Sequence, residues 1–238
     1  MRGSLIIALD FPNVSETEGF LRQFGQEKLF VKVGMELFYQ NGPAVITLLK
    51  DKGHDVFLDL KLHDIPNTVK KAMKGLAGLG ADLVNVHAAG GKDMMQAALE
   101  GLYAGASANQ KRPECIAVTQ LTSTSASQMN REQLIPGPLL NSVLHYAALS
   151  KEAGLAGVVC SPFEAGAIHE EIGRDFITVT PGIRRANDAA DDQKRITTPQ
   201  QARNLGADSI VVGRSITRSP NPLQAYLQMK ELWEGITC

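Results

Sequence analysis

Eight short apolar runs recur along the chain, each followed by a stretch patterned as a helix. They fall at 4–10 (SLIIALD), 29–34 (LFVKVG), 54–60 (HDVFLDL), 82–87 (DLVNVH), 115–120 (CIAVTQ), 156–160 (AGVVC), 176–180 (FITVT) and 208–213 (DSIVVG). The runs are continuous rather than alternating, as in parallel strands buried on both faces. Eight strand–helix units of roughly 30 residues fit a closed (β/α)8 barrel better than an open sheet. The length of 238 residues suits one such barrel, and no Pro/Gly/Ser-rich linker interrupts it. The expectation is therefore an α/β fold, a TIM barrel, with residues 1–238 as a single domain. Units four and eight echo each other: LGADLVNVHAAGG starts at Leu79 and LGADSIVVGRSIT at Leu205.

Helix starts are signalled by capping boxes at Ser15 with Glu18, Ser161 with Glu164, and Thr198 with Gln201; Pro162 and Pro199 follow the last two caps. Pro43 and Pro66 also suit first helical turns. Two segments read as loops: 121–138, rich in Ser, Thr and Gln, and 181–197, which carries Pro, Gly and dense charge. Both follow strands, so both are expected at the C-terminal mouth of the barrel, where lids and binding loops gather.

The formal net charge is −1, from 24 basic and 25 acidic residues. That balance argues against a nucleic-acid surface or a membrane-attracting patch, so an anionic ligand must be held by local groups. No apolar run reaches the length of a membrane span. The run Leu5–Leu9 is too short for a signal peptide and stops at Asp10. Cys115, Cys160 and Cys238 are far apart and form no CxxC pair, which predicts reduced thiols in a cytoplasmic protein.

The chemistry concentrates in FLDLKLHDIPNTV, from Phe57 to Val69. In a strand Asp59 and Lys61 share one face, while Leu58, Leu60 and Leu62 share the other. Charges on a face that should be core are costly unless paired or functional. Asp10 closes the first strand, Lys32 lies within FVKVG, and Asp64 follows the third strand. A closed barrel brings these strand ends to one mouth. The signs of Lys32, Asp59, Lys61 and Asp64 alternate, so each charge gains opposite neighbours; such an array holds both lysines protonated and presents ammonium and carboxylate without reorganisation. A buried ion-pair network that only fixes the barrel is the competing reading. His63 follows the third strand and is expected toward the barrel wall or a partner surface, and His87 ends the fourth strand. Either suits a catalytic base, but a hydrogen-bonded structural histidine is the expectation for both. The five histidines lack metal-ligand spacing, and no metal site is expected.

The eighth run leads into Gly213 and Arg214. A backbone N–H there and a guanidinium suit a phosphate dianion, and the loops after strands seven and eight are the usual phosphate site of these barrels. Strand seven continues into Pro181, Gly182, Ile183 and Arg184, and Gln193 stands farther along the same loop. The bland alternative is a glycine turn followed by a solvated arginine.

Taken together, IALD, FVKVG, FLDLKLHDIPNTV, VNVHAAGG, VTQLTS, TVTPGIR and VVGRSIT resemble the orotidine 5′-phosphate decarboxylase family from the first strand to the last. The resemblance implies a cofactor-independent homodimeric decarboxylase that converts orotidine 5′-phosphate to uridine 5′-phosphate and CO2 in pyrimidine biosynthesis. It implies Lys61 as proton donor to C6, Asp59 beside the departing carboxylate, Lys32 on the ribose and the charge array, and Asp10 on the ribose hydroxyls. Asp64 would come from the opposite subunit, accompanied by Ile65 and Thr68. Thr122 would meet the pyrimidine amide edge, Gln193 would bridge base and phosphate, and Gly213 and Arg214 would grip the phosphate. Pro181 and Arg184 belong to the same ligand-binding loop. The DxKxxD spacing is shared with 3-keto-gulonate 6-phosphate decarboxylases, which carry an acidic metal ligand where this chain has Lys32; an ammonium there opposes a divalent cation. A non-catalytic barrel binding a nucleotide phosphate is the remaining alternative.

Overall fold

Each of the eight apolar runs forms a strand, and the strands close on themselves. A computed structural model describes residues 2–107, 111–185 and 196–235. The strands are β1 (Leu5–Ala8), β2 (Phe30–Gly34), β3 (Asp55–Leu62), β4 (Leu83–His87), β5 (Glu114–Val118), β6 (Gly157–Val159), β7 (Ile177–Ile183) and β8 (Ser209–Val212). All neighbours are parallel, and β8 pairs with β1 to complete the barrel. The intervening segments carry α1 (Val14–Leu21), α2 (Met35–Asn41), α3 (Ala44–Asp51), α4 (Pro66–Ala77), α5 (Gly91–Gly105), α6 (Ala126–Glu132), α7 (Leu139–Glu152), α8 (Pro162–Ile172), α9 (Pro199–Asn204), α10 (Arg214–Thr217) and α11 (Pro222–Glu234).

Strand alternation divides the apolar residues between two cores. Ile6, Ala8, Phe57, Leu83, Ile116, Val179 and Val211 fill the barrel interior. A larger cluster, including Ile7, Val31, Val33, Leu58, Val84 and Val158, lies between the strands and the surrounding helices. The strands are apolar on both faces because both faces are covered. The interior plug ends at Ala8 and Phe57, and the next inward positions toward the mouth are charged or polar.

The echo between units four and eight has a structural cause. Asp82 Oδ2 accepts the backbone N–H of Val56 at 2.8 Å, and Asp208 Oδ2 accepts that of Thr178 at 2.8 Å. Each LGAD aspartate therefore satisfies an amide near the start of the preceding strand.

Several local expectations need correction. The first helix is capped by Asn13, whose Oδ1 accepts the N–H of Glu16 at 2.9 Å, and not by Ser15 with Glu18. Asparagine is at least as good a cap as serine, and it stands two residues earlier. Pro43 occupies the cap position of α3 rather than its first turn. Segment 121–138 is not all loop. Ser125 caps α6 there, and the buried Met129 anchors it. The box at Thr198 forms where expected, with Thr198 N–H donating to Gln201 Oε1 at 2.9 Å and Gln201 N–H to Thr198 Oγ1 at 3.2 Å, and at Ser161 the N–H donates to Glu164 Oε2 at 2.7 Å. Cys115 and Cys160 are buried, and burial pushes the Cys115 thiol up to about 12. Cys238 lies outside the described residues.

Candidate active site

The charged residues of three adjacent strands meet at the C-terminal mouth. Lys32 Nζ lies 3.3 Å from Asp10 Oδ1 and 3.4 Å from Asp59 Oδ2. Lys61 Nζ lies 2.7 Å from Asp59 Oδ1. Asp59 thus stands between two ammonium groups, one at each carboxylate oxygen. Burial pushes its pKa up, but the charges of Lys32 and Lys61, with hydrogen bonds from Lys61 and Asn85, outweigh that and hold the carboxyl below its ordinary value. Burial likewise pulls Lys32 down, while Asp59 and Asp10 outweigh it and raise the ammonium above its ordinary value. Asp59 and Lys32 therefore stay ionised near neutrality, as opposite charges in close contact require. Gly34 makes room for it: a Cβ at that position would stand 3.1 Å from Lys32 Nζ.

Lys61 does not reach Asp59 by regular strand alternation. The β3–β4 register runs from Leu58↔Val84 to Leu62↔Val86, so β3 bulges between those pairs. Within the bulge Lys61 adopts φ +52. A left-handed conformation in a non-glycine residue costs about 1–3 kcal/mol and persists only where its surroundings enforce it. Here the Lys61 N–H donates to Asn85 Oδ1 at 2.8 Å. Sequence reading passed over Asn85; its signal is one polar residue inside the buried run LVNVH.

Two clefts open over the array and share Lys32, Pro181 and Val211. The first, about 510 Å³, is lined by Asp10, Gly182, Arg184, Gly213 and Arg214. It also includes Glu36, Thr217 and Arg218, which sequence reading missed. The second, about 260 Å³, is lined by Asp59, Lys61 and Thr122 with Phe57, Val118, Leu121 and Val159. Gln120 and Ser123 line it too and were not foreseen. Pro181 stands where the clefts join. A flat apolar group with polar edges suits the second cleft, and an anion suits the first. The ends of the β7 loop are tied together, since Arg184 N–H donates to Thr197 O at 2.9 Å and Thr197 N–H to Gly182 O at 3.2 Å. Gln193 lies outside the described residues.

Asp64 is not part of the array within one chain. It is exposed, and its Oδ1 accepts the N–H of Ile65 at 2.6 Å. Ile65 and Thr68 are exposed beside it at the start of α4. That helix is held down by α5, where a side chain at Gly101 or Gly105 would collide with the carbonyls of Lys70 and Lys74. His63 is also exposed and stacks on His87, with ring centroids 5.6 Å apart. His87 Nδ1 accepts the N–H of Ala89 at 3.2 Å, the structural role expected of it. Burial, with His63 and Lys61 nearby, holds His87 below the ordinary imidazole value. Among the described residues no cluster of three or more His, Cys, Asp or Glu side chains is arranged to hold a metal ion.

A closed parallel barrel with a preorganised Lys–Asp–Lys array at its mouth, between an arginine-lined cleft and an apolar one, defines a (β/α)8-barrel enzyme of small anionic substrates. The chain belongs to the orotidine 5′-phosphate decarboxylase / HUMPS family, whose model matches residues 3–229. It is 60% identical over 237 residues to the orotidine 5′-phosphate decarboxylase of Bacillus cereus strain 03BB102, covering 100% of both chains. The same identity and coverage hold for the orotidine 5′-phosphate decarboxylase of Bacillus mycoides strain KBAB4. Among solved structures, orotidine 5′-phosphate decarboxylase from Lactobacillus acidophilus is 44% identical, with a TM-score of 0.88 over 98% of this chain and 99% of that one. An uncharacterized conserved protein from Geobacillus kaustophilus is 56% identical, with a TM-score of 0.87 over 96% and 99%.

Proposed function

We propose that this chain decarboxylates orotidine 5′-phosphate to uridine 5′-phosphate and CO2 in pyrimidine biosynthesis. The observation that carries this reading is the placement of Lys61 and Asp59 on the apolar cleft, joined through Lys32 to a cleft lined by Arg184 and Arg214.

The chemistry explains why such an array is needed. Breaking the bond between C6 and the carboxylate leaves its electron pair in an sp² orbital that the ring π system does not delocalise well. Stabilisation must then come from fixed charges aimed at the developing anion. The Lys61 ammonium faces that position, and its proton forms the new C6–H bond as CO2 departs. Asp59 orients Lys61 through their 2.7 Å contact and stands near the departing carboxylate. Lys32 and Asp10 take the ribose, Thr122 the amide edge of the base, and Gly213 and Arg214 the phosphate, with Pro181, Arg184 and Gln193 completing that side. Remote phosphate contacts matter because their binding energy holds the ring against the charge array.

The active form in this reading is a homodimer, in which Asp64 reaches the partner's Lys61 with Ile65 and Thr68 beside it. The exposure of Asp64, Ile65 and Thr68 in the single chain supports this. Among the described residues no helix is long and apolar enough to cross a membrane, and we place the enzyme in the cytoplasm. The sugar-phosphate alternative is disfavoured by Lys32, which puts a positive charge where a divalent cation would be held.

The direct test mixes purified protein with orotidine 5′-phosphate and follows loss of orotidylate absorbance, with and without EDTA. Turnover that EDTA leaves intact is expected. Unchanged absorbance would refute the reading, and activity lost to EDTA and restored by Mg²⁺ would favour the sugar-phosphate enzyme.

A further inference from the structure

We propose that Asn85 is a positioning residue that fixes Lys61 and Asp59 relative to each other; this rests on the decarboxylase reading above. Asn85 lies in the middle of β4 between Val84 and Val86, 1% exposed. An amide this deep is costly unless its polar atoms are paired. Both ends are paired, and both to the charge array. Oδ1 accepts the N–H of Lys61 at 2.8 Å, and Nδ2 donates to Asp59 Oδ1 at 2.7 Å. Asn85 lines neither cleft, so it acts through those two residues and not on a ligand.

The bulge explains the choice of side chain. Four residue steps of β3, Leu58 to Leu62, span two steps of β4, Val84 to Val86. The Lys61 N–H thereby loses a regular ladder partner, and the Asn85 carbonyl replaces it. Only one amide orientation serves: turned over, it would set oxygen against the Asp59 carboxylate and NH2 against an N–H. Asn85 therefore joins the backbone of the proton donor to the carboxylate that orients its ammonium. Ladder bonds and general packing stabilise β3 elsewhere, but this side chain alone touches both groups from β4.

Asn85→Ala and Asn85→Asp test this. The aspartate is isosteric. Protonated, its O–H donates to Asp59 and its carbonyl accepts from the Lys61 N–H; ionised, it sets a second carboxylate against Asp59. The charged and titratable groups around it are Asp59 and Lys61 on β3, Lys32 beyond Asp59 on β2, and His87 two residues along β4. Its β5 neighbour, Ile116, carries no charge. With Asn85→Ala, kcat should fall about tenfold or more while uridine 5′-phosphate affinity changes less than about threefold. The ratio of Asn85→Asp to wild-type kcat should rise as pH is lowered from about 8 to about 5. An Asn85→Ala kcat within about twofold of wild type, or a ratio flat across that range, overturns the proposal. If Asn85→Ala does not fold, the Asn85→Asp ratio decides alone. An inactive wild type would instead refute the decarboxylase reading, and this inference with it.

Discussion

Lys61 reaches Asp59 across a break in its own strand. The two residues stand two apart on β3, yet their 2.7 Å ion pair forms with Lys61 in a left-handed backbone conformation, φ +52. A regular strand would also put both side chains on one face, but the bulge decides where the ammonium ends up. Backbone strain here serves to aim a charge, which is a common use of strain at active sites.

The remote end of the substrate should matter for rate. Arg214 follows Gly213 into the first turn of α10 and lines the larger cleft. Arg214→Ala is expected to lower kcat/KM by about 10²-fold or more, the loss of a charged contact worth about 3 kcal/mol. Steady-state kinetics measure this, and an unchanged kcat/KM would remove Arg214 from the phosphate site.

The pH dependence of stability follows from the array. Burial opposes ionisation of Asp59, but Lys32 and Lys61 prevail and its carboxyl titrates below the ordinary 3.8. Its stabilising contribution is therefore present above the unfolded-state value and lost as pH falls through the folded one. Lys32 has the opposite sign. Burial lowers it, Asp59 and Asp10 prevail, and it titrates above 10.5. Its contribution is present below that value and lost as pH rises through the folded one. Melting temperatures across pH should show a shallower acid limb for Asp59→Asn than for wild type, and a shallower alkaline limb for Lys32→Met. Parallel limbs would mean that the array does not stabilise its own ionised forms.

Asp64 tests the shared site. Asp64→Ala and Lys61→Ala proteins should each be inactive, and co-refolding them should give hybrid dimers with one intact site. Random reassortment restores about a quarter of wild-type sites. Activity that stays absent while sedimentation shows mixed dimers would place Asp64 outside its partner's site.

The barrel was legible because its strands are buried on both faces, and continuous runs such as SIVV and LVNVH mark that condition. Asp10, Lys32, Asp59 and Lys61 were legible because charge at the end of a buried strand is costly unless it is paired or put to use. The bulge was not, since no Gly or Asn at position 61 signals a left-handed residue and FLDLKL reads as ordinary alternation. Asn85 was hidden for a related reason: one amide in a five-residue strand reads as an interruption until its partners are known. Glu36 and Arg218 join the large cleft from α2 and the end of α10, positions set by how helices lie on the barrel and not by local pattern. The capping shift from Ser15 to Asn13 reflects two cap-competent residues close together in the chain, between which only geometry chooses.

The central claim is that the Lys61 ammonium meets the anion at C6 and supplies its proton. Single-turnover decarboxylation of orotidine 5′-phosphate by Lys61→Ala protein, with uridine 5′-phosphate binding measured in parallel, tests it most directly. The rate should fall by about 10⁴-fold or more while binding remains measurable. A rate within about tenfold of wild type would contradict it.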